Sequence, residues 1–169
     1  TKKYRLNKHM VEDAASSARE TATLQFISPW MSQQEINQLV DQMHKNSRLT
    51  DSVIIRSLCI GDLRFFETAI AKRVGIPVGN ARILLMDPGP LGLRALYDSA
   101  KLPATFYPAV RVMLQLAQKE TEYGKYRSED FGARMVEHIT ENGYDKSIEH
   151  MGTLVTMIGR AIHERPTLH

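Results

Sequence analysis

AIAKRVGIPVGNARILL, residues Ala69 to Leu85, carries two helical patterns hinged on Gly-Ile-Pro. Ala71 permits close packing, Gly75 suits a turn with positive φ, and Ile70, Val74, Ala81 and Leu84 fall where two helices bury each other. A DNA-reading helix-turn-helix and a neighbouring pair in a helical stack both need this pattern. The chemistry favours the stack: a recognition helix offers Arg, Asn, Gln or Ser to base edges, whereas this one opens with Pro77, Val78, Gly79, Asn80 and Arg82. Charge is the better argument for nucleic acid. From Arg56 to Arg82, the cations Arg56, Arg64, Lys72, Arg73 and Arg82 outnumber Asp62 and Glu67 by three, the whole +3 excess of the chain, and phosphate contact is compatible with that. DNA or RNA binding through residues 67–86 is therefore the alternative reading, behind a structural helix pair.

Outside this stretch, apolar positions recur every three or four residues along nearly all 169 positions, and strand-like alternation is almost missing. The fold class is all-α, with about nine helices stacked as antiparallel pairs. The first starts near Asn7, carries Val11, Ala14, Ala15, Ala18 and Ala22 on one stripe, and ends at Ser28 and Pro29. Ser32 and Glu35 form an S-x-x-E capping box ahead of Ile36, Leu39, Val40 and Met43. Leu49 and Thr50 stage the third helix, through Val53, Ile54 and Leu58 to Gly61. Asp62 begins the fourth, with Phe65, Phe66, Ala69 and Ile70 inward and Gly75 closing it. Adjacent helical residues lie about 100° apart, so one phenylalanine is expected to face the core and the other a neighbouring helix.

Pro77 suits the first turn of a fifth helix running through Ile83 to Met86. The segment DPGPLG, Asp87 to Gly92, is expected to turn before Leu93, Leu96 and Tyr97 resume a helix that Pro103 ends. A seventh helix carries Val110, Val112, Met113, Leu116 and Ala117 to about Glu120. Thr121 to Asp130 reads as a loop in which Ser128 caps an eighth helix with Met135, Val136 and Ile139, stopped by Asn142 and Gly143. Asp145 caps the ninth, with Ile148, Met151, Leu154, Val155, Ile158 and Ile162 on its apolar side before Pro166.

The bulk composition sets limits on function. A chain of 169 residues, 43% hydrophobic and 24% charged, buries a core as one domain, 1–169, without staples. No apolar run approaches the roughly 20 residues of a membrane span, and no signal peptide opens the chain, so a cytoplasmic location is expected. The chain begins at Thr1 rather than Met, which suggests a piece of something longer. Cys59, the lone cysteine, sits between Leu58 and Ile60 and reads as a buried thiol. The six histidines show no ligand spacing, since His138 and His150 each follow a glutamate and His163 precedes one without an H-E-x-x-H pattern. No G-x-S-x-G elbow or G-x-x-x-x-G-K cradle is present, and the helix dipole explains Glu129 and Asp130. No catalytic residue, cofactor or metal is expected, and the chain reads as a non-enzyme.

Two segments resemble a known family: LCIGDLRFFETAIAKRVGIP, Leu58 to Pro77, and DPGPLGLRALYDSAKLP, Asp87 to Pro103. The pattern runs through Leu58, Gly61, Asp62, Phe65, Phe66 and Glu67, then Ala71, Gly75, Ile76 and Pro77, then Gly92, Leu93, Ala95, Leu96, Tyr97, Leu102 and Pro103. It is similar to a bacterial domain-of-unknown-function family, number 2336, here in its C-terminal portion. A looser likeness reaches from the N-terminus to about Gln118. The resemblance implies HEAT- or armadillo-like helical repeats and longer relatives, and no activity.

The preferred function is a non-enzymatic helical-repeat module that binds another protein on a curved surface. Loops around Asp62, Asp87 to Gly92 and Tyr123 to Ser128 would frame it. Arg56, Asp62, Arg64 and Arg82, if they line one exposed face, are the expected contacts to an acidic partner. On that expectation, alanine at Arg64 and Arg82 together weakens capture and leaves melting nearly unchanged. No membrane partner is expected.

Overall fold

Helix starts and stops written into the sequence reappear in the computed structural model, which describes residues 30–59 and 61–122 together with positions 15, 16, 18–20, 22–24, 26, 27 and 141. The described residues are largely helical and contain no strand, so the fold is all-α. Residues 15, 16, 18–20, 22–24 and 26, from the first expected helix, are helical. Six α-helices follow among the described residues: α1 (Gln33–Lys45), α2 (Asp51–Cys59), α3 (Leu63–Val74), α4 (Val78–Met86), α5 (Pro90–Ser99) and α6 (Tyr107–Glu122), with a 3-10 turn at Ala104–Phe106. They are the second to seventh of the expected nine. The eighth and ninth fall outside the described residues, save Glu141, which is helical.

Local hydrogen bonding explains the boundaries. Ser32 and Glu35 close a reciprocal box: the Glu35 amide donates to Ser32 Oγ at 3.2 Å and the Ser32 amide to Glu35 Oε2 at 2.6 Å, satisfying two of the orphan amides at the start of α1. Thr50 Oγ1 accepts from the Val53 amide at 3.1 Å, and Asp62 Oδ1 from Phe65 at 3.2 Å. Gly75 ends α3 with φ 80°, its amide donating to Ala71 O, a left-handed stop that a side chain would strain.

Two boundaries differ from expectation. α5 begins at Pro90, inside DPGPLG, with Gly89 as N-cap; proline lacks only an amide that the first helical turn leaves unbonded, so this proline starts a helix. α6 begins at Tyr107, directly after the 3-10 turn, rather than near Val110.

α3 is the organising element. It packs against α1, α2, α4, α5 and α6, and positions 65–71 are buried without interruption. Both Phe65 and Phe66 are fully buried, because partners surround the helix and leave no solvent face. Each buried phenylalanine stabilises the fold by about 1.5–3 kcal/mol relative to exposure. α6 then returns to α2, where the Cys59 thiol meets Met113 Sδ at 3.6 Å. In an open stack each repeat touches only its neighbours, and this return contact closes the set around α3 instead.

Polar straps tie the helices together. Arg73 donates from Nη1 to Ala100 O at 3.0 Å and from Nη2 to Leu49 O at 2.8 Å, and pairs with Asp51 at 2.7 Å. Tyr97 donates to Pro103 O at 2.5 Å and meets the Tyr107 ring edge-on at 5.2 Å. α5 approaches α4 backbone to backbone: a Cβ added at Gly92 would lie 2.2 Å from Leu84 O. That contact brings the start of α5, including Leu91, to the end of α4.

Candidate interaction surface

The four residues expected to meet a partner all have work inside the molecule. Asp62 is 4% exposed and occupied as the α3 cap. Arg64 donates from Nη1 to Met31 O at 2.6 Å, fastening the segment ahead of α1 to α3. Arg56 pairs with Glu20 at 3.6 Å, linking α2 to the upstream helical residues. Arg82, on α4, donates to Glu67 Oε2 at 2.9 Å, and Glu67 is buried on α3. They do not form one exposed face.

The cations of the basic segment are likewise engaged within the fold. Lys72 pairs with Asp41 at 2.7 Å and Arg73 with Asp51, so Glu20, Asp41 and Asp51 from outside the basic segment balance three of its cations. The Lys72 hydrogen bond holds the exposed Asp41 carboxyl below its ordinary range. A stripe whose cations are each engaged in this way leaves few of them for phosphate.

These placements change the expected result of substituting the arginines. Arg64→Ala with Arg82→Ala removes a charge-assisted hydrogen bond to a backbone carbonyl and the partner of a buried carboxylate, and should lower unfolding free energy by about 2 kcal/mol. For a chain of this length the melting temperature falls by about 6 °C, which a thermal scan detects.

Glu67 adds a pH signature. Burial holds its carboxyl above the ordinary 4.5, with the Arg82 hydrogen bond pulling the other way. A raised folded pKa means the protonated form suits the folded state better. Its stabilisation is therefore complete below the ordinary value and is lost as pH rises through the raised one. In urea titrations from pH 7 to pH 4, the stability of the native protein relative to Glu67→Gln should rise as pH falls and level off near the bottom of that range. A flat difference would mean that Glu67 titrates normally.

α4 places its chemistry otherwise than the sequence spacing suggested. Ala81 and Leu85 face the core, whereas Leu84, expected in the α3 contact, is 38% exposed. Ile83, Met86 and Leu91 are 72%, 58% and 77% exposed. The signal was present in the letters: Ile-Leu-Leu-Met at 83–86 puts four apolar residues in one turn, and a helix packed on its Ala81–Leu85 side cannot bury them all. α4 itself packs against α3 and α5. The helix that a helix-turn-helix would insert into a groove thus shows solvent an apolar face, with Arg82 held by Glu67.

Cys59 is buried, and burial pushes its thiol up to about 12, a structural thiol rather than a nucleophile. Among the described residues no group of three histidine, cysteine or acidic side chains is placed to hold a metal, and no helix is long and apolar enough to cross a membrane. His9, His138, His150 and His163 lie outside the described residues.

The model of one family matches residues 1–144, described as "Uncharacterised protein conserved in bacteria (DUF2336)". The match passes the Gln118 limit of the likeness read from the sequence. No curated protein and no solved structure matches the chain.

Proposed function

The chain belongs to this bacterial DUF2336 family, and from that premise we propose that it is a non-enzymatic, all-helical protein–protein interaction module of the cytoplasm. The observation that carries the reading is the apolar face of Ile83, Leu84, Met86 and Leu91 at the α4–α5 corner. Four aliphatic side chains at these exposures present roughly 500 Å², within the size range of patches that are often functional on a monomer. Ile83 and Met86 are one turn apart on α4 and exposed Leu91 stands at the start of α5, apolar positions suited to the apolar stripe of a partner's amphipathic helix. In this reading α3–α4 and α4–α5 pair closely in the manner of HEAT or armadillo helices, within a set that closes around α3 rather than stacking openly. A non-enzymatic role is supported by the engagement of Asp62, Arg64, Glu67 and Arg82 in caps, pairs and carbonyl contacts. A reducing compartment agrees with a lone, buried cysteine.

A photo-cross-linking side chain in place of Met86, in the full-length protein in bacterial cells, tests the reading. Discrete protein adducts are expected, lost on Ile83→Asp and not reproduced when the probe replaces exposed Arg111. The nucleic-acid alternative requires duplex retention that falls steeply between about 50 and 200 mM salt. Nucleic-acid adducts at position 86, without protein adducts, would overturn the proposal.

A further inference from the structure

At about 100° per residue, Gly79, Ile83 and Met86 fall within one strip of α4, roughly opposite the Ala81 and Leu85 that face the core, and all three are exposed. Gly79 has neither of the usual structural reasons to be glycine. Its φ is not positive, and an added Cβ would meet nothing within 4 Å. The outer side of the first turn of α4 is therefore open, while Met86 stands out from the last. Gly79 lies four residues before Ile83 and Met86 three after it, so two antiparallel copies of α4 crossing at Ile83 would set each Met86 on the bare position at the other's Gly79.

Charge selects the same occupant. Near the axis of a two-fold interface a residue meets its own copy, so a charge there would face its like. The strip carries none: Arg82, the one charged residue of α4, is held by Glu67 on α3. The antiparallel crossing also carries the exposed Asp87 towards the start of the other α4, the positive end of that helix, where no side chain caps it. Area agrees as well. The exposed aliphatic side chains of the corner present roughly 500 Å² on each copy, so two copies cover about 1,000 Å² together, the threshold for a specific interface and the class of weak, exchangeable pairs.

We infer that the partner of this corner is a second copy of the chain, with α4 pairing antiparallel to the other copy's α4 about a two-fold axis at Ile83. The inference rests on the reading of this corner as a protein-binding face. It names the partner and the register.

Sedimentation of the purified full-length protein should show a monomer–dimer equilibrium over about 1 to 300 μM, the range suited to an interface of this size. Ile83→Asp and Ile83→Lys should each weaken dimerisation about tenfold or more through like charges at the axis. An equimolar mixture of the two should restore it, because opposite charges at one position rescue only a residue that meets its own copy. Gly79→Leu should weaken dimerisation about tenfold by overfilling the contact, yet leave the melting of the dilute protein unchanged, since the monomer has open space there. Under mild oxidation Ile83→Cys should form an interchain disulfide about tenfold or more faster than Arg111→Cys, exposed on α6, since only the former brings two thiols within bonding reach; Cys59 is buried. Thermal melting of every variant checks that the helical core persists. A chain that stays monomeric throughout, a dimer indifferent to Ile83→Asp or Gly79→Leu, a mixture that is not rescued, or equal disulfide rates would each overturn the inference. In the cellular cross-linking experiment, adducts at position 86 with other proteins alone would overturn it and leave the protein-binding reading standing, whereas nucleic-acid adducts alone would overturn both.

Discussion

Gly92→Ala should lower unfolding free energy by about 3 kcal/mol, at the upper end of the usual range for overpacking. The reason is space rather than backbone conformation, since Gly92 is not among the glycines with positive φ. An added methyl would sit 2.2 Å from the Leu84 carbonyl oxygen and 3.1 Å from its carbon. Backbone cannot swing aside as the end of a side chain can, so α4 and α5 must part by about 1 Å and lose dispersion contact along their length. At about 3 °C per kcal/mol for a chain of this size, the melting temperature falls by roughly 9 °C. Gly79→Ala is the matched control: it lies in α4 with nothing within 4 Å of an added Cβ, and alanine there should be neutral or stabilise by up to about 1 kcal/mol. If the two alanines behaved alike, the close crossing of α4 and α5 would be wrong. The crossing also joins the two helices that carry the exposed Met86 and Leu91, so Gly92→Ala should weaken protein cross-linking at position 86 even below its melting temperature.

That contact shows where sequence reading stops. Caps are local, and the Ser32–Glu35 box, Thr50, Asp62 and Gly75 could all be found because each acts within four residues of where it stands. Proline is local but ambiguous. It stops one helix and opens the next, and the turn assigned to DPGPLG contains the start of α5 at Pro90. Charge pairing is not local: Lys72 finds Asp41, Arg73 finds Asp51 and Arg56 finds Glu20 on other helical segments. A count of charges along Arg56 to Arg82 therefore overstated the cations available to a partner. The exposed face was half legible, since Ile83 to Met86 are plainly too apolar for one helix side. Which residues turn outward depended on the Gly92 crossing, which fixes the rotation of α4 and which no spacing within α4 encodes.

Phe65→Ala and Phe66→Ala should each cost about 4 kcal/mol, the range for truncating a fully buried phenylalanine. On a helix with one buried stripe, residues about 100° apart do not both reach the centre of the core, and the second substitution would be cheap. Here both rings are fully buried, because α3 has helices on every side: α1 and α2 before it in the chain, α4, α5 and α6 after it. The two costs therefore measure how completely α3 is enclosed. Urea unfolding of both variants, with equal slopes to show that the unfolded reference is unchanged, checks this directly. A loss below about 1 kcal/mol at either position would leave α3 with a solvent side, remove the return of α6 onto α2 as the closing contact, and bring back an open stack. It would also weaken the setting of the Gln118–Leu85 contact, since α6 packs against the same central helix. Comparable losses at both positions support the enclosure that presents Ile83, Met86 and Leu91 as an outer face, with the core sealed beneath it.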